Sequence, residues 1–567
     1  MSELHPILSN DAETALDKTG RLASRGRNGV QAARWIERGM ALAAGAIATA
    51  GHAPFYFAPL YVIAIVILVR LLDAAALRPK RIAAAFGLAW WFGLGHFASG
   101  LHWLSAAFSY DFGAWGIVFG AGAVLALAAF LACFWGAGGA LAITLWTPDA
   151  RRVPVFAIAV ALAEWLRGIA FTGFPWLLPG YVWPAGEPIS QSASVFGIYG
   201  LSALTLFFAA APVVLLDRTI NLAARLKWIC IPAVTFATVW SWGSMRLAGH
   251  TPTALGQPVV RVADSGMSQA DKWAERPDQE WRVLQRYLEA SGSAREADIV
   301  IWPEGAIPSM NSYTLENTDL MGALGAGMGE RTLVLGLTRR MQRGERSFHY
   351  NSAVVIDNSD GVTRVGDIYD KHRLVPFGEY IPFWRLFGAL NVAPLQRIGT
   401  GFEPGAAGPR RIAVEDAPAA TILICYEAIF PGLAPNGRER PGWIISLTND
   451  AWFGEGVGPS QHFAIARYRA IESGLPMARA ASGGVSAIID ANGRVVAANW
   501  GGGFAQASLP PALTETAYSR LGLASVATLL LILSIVRFIP LNGRARGPSI
   551  AAGPTPARQL FPSKGSR

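Results

Sequence analysis

The chain has 567 residues, 52% of them hydrophobic and only 15% charged, with a formal net charge of +9. Such an apolar fraction excludes an ordinary soluble protein. The basic residues sit in clusters beside long apolar runs, so membrane topology accounts for the positive charge better than nucleic-acid binding does.

The first 37 residues are polar and lack an apolar core with a small-residue cleavage site, so they read as a disordered cytoplasmic tail rather than a removable signal peptide. Runs of about 17–25 apolar residues can cross a bilayer as helices. Seven spans are predicted within 38–246, at 38–54, 56–74, 83–107, 115–146, 153–170, 193–215 and 227–246, and an eighth at 519–538. The 115–146 run is long enough to tilt or to include an interfacial turn. Basic clusters precede the first span (Arg21, Arg25, Arg27, Arg34, Arg38) and follow the second (Arg78, Lys80, Arg81). Others follow the fourth (Arg151, Arg152), the sixth (Arg218, Arg225, Lys227) and the eighth (Arg537, Arg544, Arg546). With eight spans all of these fall on one side, which is the cytoplasm by the positive-inside rule. Both tails, 1–37 and 539–567, are then cytoplasmic, and the segment 247–518 is external.

That external segment alternates strand and helix signals. Val- and Ile-rich runs bounded by Gly, Pro, Asn and Asp predict strands at Pro258–Ala263, Asp298–Trp302, Thr332–Leu337, Tyr350–Ile356, Ala420–Ile424, Trp443–Leu447 and Val485–Ile489. Helical patterns lie at Asp278–Ala290 and Ser460–Ser473, so helices are expected to cover sheet in an α/β domain. The apolar stretch Ile381–Leu390 reads as a membrane-dipping arm, with a helix packed on the domain as its alternative. Charged residues in place of Phe383 and Phe387 should then slow reaction with lipid vesicles.

Cys133 and Cys230 lie in presumed spans and serve as small apolar residues, which leaves Cys425 as the one external cysteine, free of any internal disulfide. It ends the strand Thr421-Ile422-Leu423-Ile424 and precedes Tyr426 and Glu427. A thiol at a strand mouth can attack a carbonyl if a base and an oxyanion stabiliser stand near it. Glu304, after Ile299-Val300-Ile301-Trp302-Pro303, is the candidate base, provided that partial burial beside Trp302 and Pro303 raises its pKa. Lys371 is the candidate positive charge, and the backbone N–H of Tyr426 the second oxyanion donor. Taken singly, each has a plainer reading, as a structural thiol, a solvated cap or a surface lysine.

Their local strings change that. Trp302-Pro303-Glu304, Lys371-His372-Arg373-Leu374-Val375-Pro376-Phe377-Gly378-Glu379-Tyr380 and Cys425-Tyr426-Glu427 resemble the Glu-Lys-Cys carbon–nitrogen hydrolase (nitrilase) superfamily. With seven spans before and one after, the chain looks like the membrane branch of that superfamily, the apolipoprotein N-acyltransferases. Thr448-Asn449-Asp450-Ala451-Trp452-Phe453-Gly454, Gly458-Pro459, Gln461-His462 and Phe174-Pro175-Trp176 with Gly180-Tyr181 are similar to the same family. Where the family has a Gln-Gly-Asn-like string after its first strand, this chain has Ala263-Asp264-Ser265-Gly266.

The resemblance implies a nitrilase-like αββα sandwich on the periplasmic side of the bacterial inner membrane, seated on an eight-span helical bundle. It implies an acyl chain passing from a phospholipid, typically phosphatidylethanolamine, to Cys425 as a thioester. The α-amine of a diacylglyceryl-cysteine on an apolipoprotein would then take it, in a ping-pong reaction that ends lipoprotein maturation. It further implies Glu304 as base, Lys371 as charge stabiliser and Cys425 as nucleophile. Glu379, Tyr426 and Glu427 fall at further functional positions, and Trp273 at a loop tryptophan linked to substrate access. A monomer without cofactor is expected. Eight scattered histidines with no ligand spacing argue against a metal, and no Gly-x-Ser-x-Gly elbow supports a serine hydrolase. His462 invites a Cys-His reading but has no partner motif. A membrane-tethered amidase or nitrilase, with water as final acceptor, uses the same three residues. A transporter is poorly supported, because Asp73 and Glu164 are the main acidic residues in the spans.

Overall fold

The computed structural model describes residues 31–109, 113–217, 221–249, 256–293, 296–308, 313–358, 360, 362–382, 401–406 and 408–538. Seven helices come first: α1 (31–48), α2 (Ala58–Ala76), α3 (Arg81–Gly100), α4 (Gly116–Thr144), α5 (Arg152–Arg167), α6 (Ala193–Ala210) and α7 (Leu222–Ala248). Among the described residues, five helical stretches are long and apolar enough to cross a membrane: α2, α3, α4, Ile189–Leu216 around α6, and α7. Helix α1 carries Arg34, Glu37 and Arg38, and α5 has only 16 residues. Residue 31, the first one described, already lies in α1, inside the stretch expected as tail.

At ~1.5 Å per residue the 29 residues of α4 reach ~43 Å, beyond the ~30 Å hydrocarbon core, as the length of its apolar run anticipates. Small residues set how closely these helices approach. A Cβ on Gly45 of α1 would lie 1.9 Å from the Phe92 carbonyl oxygen, and one on Gly95 of α3 2.0 Å from that of Leu42. Buried arginines in this block are paired. Arg152 bridges Asp217 at 2.8 Å and Asp73 at 3.0 Å. Arg167, fully buried, binds Glu164 and donates to the carbonyls of Phe174 and Trp176. The loop after α5 is thereby tied down at Phe174 and Trp176, and Phe171, Thr172 and Leu177 within it have positive φ.

Beyond α7 the chain builds two sheets. One is six-stranded, made of β1 (Val259–Asp264), β2 (Ile299–Trp302), β3 (Thr332–Arg343), β4 (Arg346–Asp357), β5 (Arg364–Asp370) and a returning edge strand, β11 (Gly503–Ser508). Its order is β11-β1-β2-β3-β4-β5. The other is five-stranded, ordered β10-β9-β8-β7-β6, from β6 (Ala420–Ile424), β7 (Trp443–Asn449), β8 (Met477–Ser482), β9 (Val485–Ile489) and β10 (Val495–Trp500). Strands β1–β3 run parallel, as do β6–β8.

Alternation along these strands makes two apolar faces per sheet. Val260, Val262, Ile299, Ile301 and Val334 pack against Ile422, Ile424, Ile445 and Leu447 between the sheets. The opposite face of the first sheet (Val300, Trp302, Leu333, Leu335) is covered by α8 (Gln279–Ser291) and α9 (Thr318–Met328). That of the second (Leu423, Ile444, Met477) is covered by α10 (Val457–Ser473). Helix, sheet, sheet and helix therefore stack in four layers. The chain ends its described part in a last apolar helix, α11 (Leu523–Val536), of 14 residues, packed on α5 and α6.

The five-stranded half sits on the helical block. Ile429, Phe430, Ile465, Tyr468 and Ile471 share one buried cluster with Leu177, Ile198 and Leu201. Glu472 accepts from the Ile198 N–H at 2.8 Å, and the Tyr468 hydroxyl donates to the Trp183 carbonyl at 2.7 Å. Gln461 accepts from the indole N–H groups of Trp103 and Trp176 at 3.1 and 2.8 Å. Of the stretch Ile381–Leu390 and its expected arm, residues 383 onward, with Phe383 and Phe387, lie outside the described residues, as do residues 1–30 and 539–567.

Candidate active site

The parallel strands of both sheets end at one mouth, and the candidate residues sit in the turns there. Glu304 stands two residues past β2, Lys371 directly past β5, and Cys425 directly past β6. Gly336 of β3 lets the Glu304 turn settle on the sheet, for a Cβ there would lie 2.5 Å from the Glu304 Cα. The turn is pinned by the Ala306 N–H donating to the Gly336 carbonyl at 2.9 Å.

Lys371 is 1% exposed, and its ammonium donates to Glu379 Oε1 at 2.9 Å and Glu304 Oε1 at 3.2 Å. Asn351 Nδ2, from β4, donates to the same two oxygens at 2.7 Å each. The other oxygen of Glu304 accepts from the Asn449 N–H at 2.9 Å, and that of Glu379 from the Val375 N–H at 2.8 Å. Two carboxylates thus share one ammonium and one amide. Burial works against the lysine's charge, but Glu304 and Glu379 outweigh it and hold the ammonium well above the usual lysine range.

Cys425 opens a 3₁₀ turn, Cys425–Ile429, with its own φ at +50°. This left-handed conformation is costly for a residue with a side chain, and it breaks the strand's alternation at the point where the thiol projects. The leading N–H groups of such a turn, Tyr426 among them, have no carbonyl partner within the turn, so they are available to an oxyanion. Burial pushes the thiol's pKa up and Glu304 adds to that, while Lys371 and the neighbouring Thr448 hydroxyl pull it down. The thiol is therefore protonated at neutral pH until a base acts on it, and Glu304 is the carboxylate with an electrostatic line to both Cys425 and Lys371.

Glu427 has no exposed surface. Its carboxylate accepts from the Tyr369 hydroxyl at 2.6 Å, the N–H groups of His372 and Arg373 at 2.9 and 3.2 Å, and the Ile424 N–H at 2.8 Å. It ties the Lys371 loop on one sheet to the Cys425 elbow on the other. Tyr426 reaches the helical block, its hydroxyl donating to the Gly173 carbonyl at 2.6 Å. Trp273 is 44% exposed and closes the single turn Gln269–Lys272, so it stands on the loop that follows β1. Its neighbour Lys272 is buried, with burial lowering its pKa to about 8 against the opposing pull of Asp264 and Glu304.

The structure brings Glu304, Lys371, Glu379, Cys425 and Glu427 into one connected set. Sequence reasoning assigned no role to Asn351, Tyr369 or Thr448. A lone amide in the Val-rich strand Tyr350–Ile356 was the available signal for Asn351. His462 donates from Nδ1 to Asp450 at 2.7 Å. Among the described residues no group of three His, Cys, Asp or Glu side chains is placed to hold a metal.

Two family models match the chain: "Apolipoprotein N-acyltransferase N-terminal domain" over residues 44–211 and "Carbon-nitrogen hydrolase" over residues 261–518. Curated relatives named apolipoprotein N-acyltransferase match nearly end to end. That of Bradyrhizobium diazoefficiens is 40% identical over 89% of this chain and 95% of its own. That of Rhodopseudomonas palustris is 37% identical over 88% and 95%. Among solved structures, a glutamine-dependent NAD(+) synthetase from Cytophaga hutchinsonii matches 43% of this chain and 40% of its own at 12% identity, and its TM-score of 0.24 carries no weight.

Proposed function

The chain belongs to the apolipoprotein N-acyltransferase family, and on that premise we propose that Cys425, Glu304 and Lys371 carry out its N-acylation of lipoproteins. One observation carries the assignment: the ammonium of Lys371 and the carboxylate of Glu304 meet at the strand mouth where Cys425 projects from a strained elbow.

In the first half-reaction Glu304 takes the thiol proton, and the sulfur attacks the acyl ester carbonyl of a phospholipid, phosphatidylethanolamine being the expected donor. The Lys371 ammonium and the Tyr426 N–H receive the oxyanion. Collapse of the tetrahedral species expels the lysophospholipid alkoxide, which takes the proton back from Glu304, and leaves an acyl thioester on Cys425. In the second half the α-amine of a diacylglyceryl-cysteine attacks the thioester, and Glu304 accepts the proton that the amine loses. The thiolate leaves and is reprotonated. Glu379 holds Lys371 in place, Glu427 holds the elbow, and Trp273 borders substrate entry.

Seating the sandwich on the bundle supports a donor and acceptor that never leave the bilayer, which avoids exposing ~0.8 kcal/mol of apolar surface per CH₂ to water. We place α1, α5 and α11 across the membrane beside the five longer helices, giving eight spans. The basic clusters then lie in the cytoplasm with both tails, and the sandwich in the periplasm. The enzyme acts as a monomer in this reading.

The test is mass spectrometry of the purified protein after incubation with phospholipid. A fatty acyl mass on Cys425, discharged by a diacylated lipopeptide, is the expected result. A stable adduct on another residue, or none before transfer, would overturn the assignment.

A further inference from the structure

Thr448 was left without a role, yet it stands beside the sulfur. Strands β6 and β7 run parallel with Ile424 opposite Leu447, so the next positions along are Cys425 and Thr448. The Thr448 side chain is fully buried, stands close enough to the Cys425 thiol to pull its pKa down, and donates to Asp450 Oδ1 at 2.9 Å. A hydroxyl has one hydrogen and cannot donate to both partners at once.

What surrounds Asp450 decides where that hydrogen can go. Arg479 donates to Asp450 Oδ2 at 2.7 Å, and His462 Nδ1 donates to Oδ1 at the same distance. Arg479 Nη2 also lies 3.3 Å from the same ring nitrogen, but the shorter contact to the carboxylate puts the hydrogen on Nδ1. All three side chains are buried, and Trp176 and Phe453 pack against the imidazole at ring distances of 5.4 and 5.9 Å. Burial disfavours the Asp450 charge, but Arg479 and His462 outweigh it and keep the carboxylate ionised. The aspartate therefore keeps Arg479 and His462 as donors when Thr448 turns away.

We propose that Thr448 is a further catalytic residue, whose hydroxyl rotates from Asp450 to the Cys425 sulfur as the thiol becomes a thiolate. With the thiol protonated, its S–H points to Thr448 Oγ1 while that hydroxyl donates to Asp450. When Glu304 removes the proton, the hydroxyl swings its hydrogen onto the sulfur. No covalent bond to Thr448 is made or broken, and Asp450 stays held by Arg479 and His462. The same donor would then steady the sulfur as it leaves in the second half-reaction.

This rests on Cys425 being the nucleophile, and the test separates the two claims. The full-length protein in detergent is alkylated with iodoacetamide across pH, beside the Thr448→Ser and Thr448→Val variants, and thioester formation from phospholipid is timed for each. Losing a charge-assisted hydrogen bond to the sulfur should slow thioester formation by ~10–100-fold in Thr448→Val and move the alkylation midpoint up by about one pH unit or more. Thr448→Ser, which keeps the hydroxyl, should stay within about threefold of the parent. If Thr448→Val does not fold, Thr448→Ala is compared with Thr448→Ser in its place. A variant slowed equally at every pH, with the midpoint unmoved, would show a merely structural threonine and overturn the assignment. Wild-type protein whose alkylation leaves acyl transfer intact would overturn the nucleophile itself.

Discussion

The two sheets of the sandwich bring different things to the mouth between them. The six-stranded half supplies Glu304, Lys371, Glu379 and Asn351, a set with two acids on one ammonium. The five-stranded half supplies the thiol and, behind it, the closed group Asp450, Arg479 and His462. It is also the half bonded to the helical block, through Tyr426, Gln461, Tyr468 and Glu472. The thiol is thus fixed with respect to the helical block, and Glu304 and Lys371 are carried on the other sheet. Two carboxylates span the gap, Glu427 from the elbow to the Lys371 loop and Glu304 to the Asn449 N–H.

The hardest way to break this division is to remove the chemistry from each half in turn. Cys425→Ala should abolish acyl transfer to a diacylated lipopeptide, by at least ~10³-fold, while inserting normally in the membrane. Glu304→Gln should cost ~10²–10⁴-fold and leave no acyl mass on the enzyme over the time in which the parent is fully acylated. Transfer surviving in either variant would mean that one half holds the whole reaction.

Lys371→Met comes next, because it removes the ammonium that two carboxylates share. Glu304 and Glu379 would be left adjacent and only slightly exposed, a loss of up to ~3–5 kcal/mol of stability near neutral pH. The pH dependence has a definite sign. Carboxylates without their cation bind protons more tightly folded than unfolded, so the variant's stability falls as pH rises from the acid side. In the parent, Lys371 is itself held above its usual range, and its contribution is lost only when pH climbs past ordinary lysine titration. Melting temperatures of both proteins between pH 5 and 9 should therefore diverge as pH increases, and parallel curves would refute the shared-ammonium picture.

Glu427→Gln tests the bridge. An amide can keep accepting on the side of Tyr369, His372 and Arg373, but its NH₂ then faces the Ile424 N–H, donor against donor. The elbow should loosen, with acylation slowed ~10–100-fold and stability reduced by about 1–3 kcal/mol. Single-turnover acylation and thermal unfolding read the two effects separately.

How much of this could be read from the sequence follows the same line between the halves and the bridge. Glu304, Lys371 and Cys425 stand in distinctive strings at strand ends, and seven strands and two sandwich helices fall where Val/Ile runs and amphipathic spacing place them. Strand β8, Met-Ala-Arg-Ala-Ala-Ser, escaped notice because alanine and arginine carry little β signal, and its burial comes from the layers on both sides. Strand β5 was missed for the opposite reason, being an edge strand with an exposed start and Gly366 inside it. Asn351, Tyr369 and the bridging role of Glu427 depend on which strands become neighbours across two sheets, and nothing in local spacing encodes that.

The smallest effect expected on the chemistry belongs to the joint with the helical block. Gln461 Oε1 accepts from two buried indoles, and its amide donates to the Gly100 carbonyl at 3.3 Å. Gln461→Leu fills similar space but strands the N–H groups of Trp103 and Trp176 away from water, at ~1–3 kcal/mol for each buried donor left unpaired. Trp103 also donates to the Gly100 carbonyl at 3.0 Å, so its loss is partial and the total should fall near ~2–4 kcal/mol. The elbow keeps its own ties through Glu427 and Tyr426, so the rate of acylation should stay within about threefold of the parent at a temperature where both are folded. Unfolding in detergent and single-turnover acylation, measured on the same preparation, decide the matter. A large fall in rate with an unchanged melting temperature would mean that the bundle acts on the nucleophile through this joint rather than only carrying it.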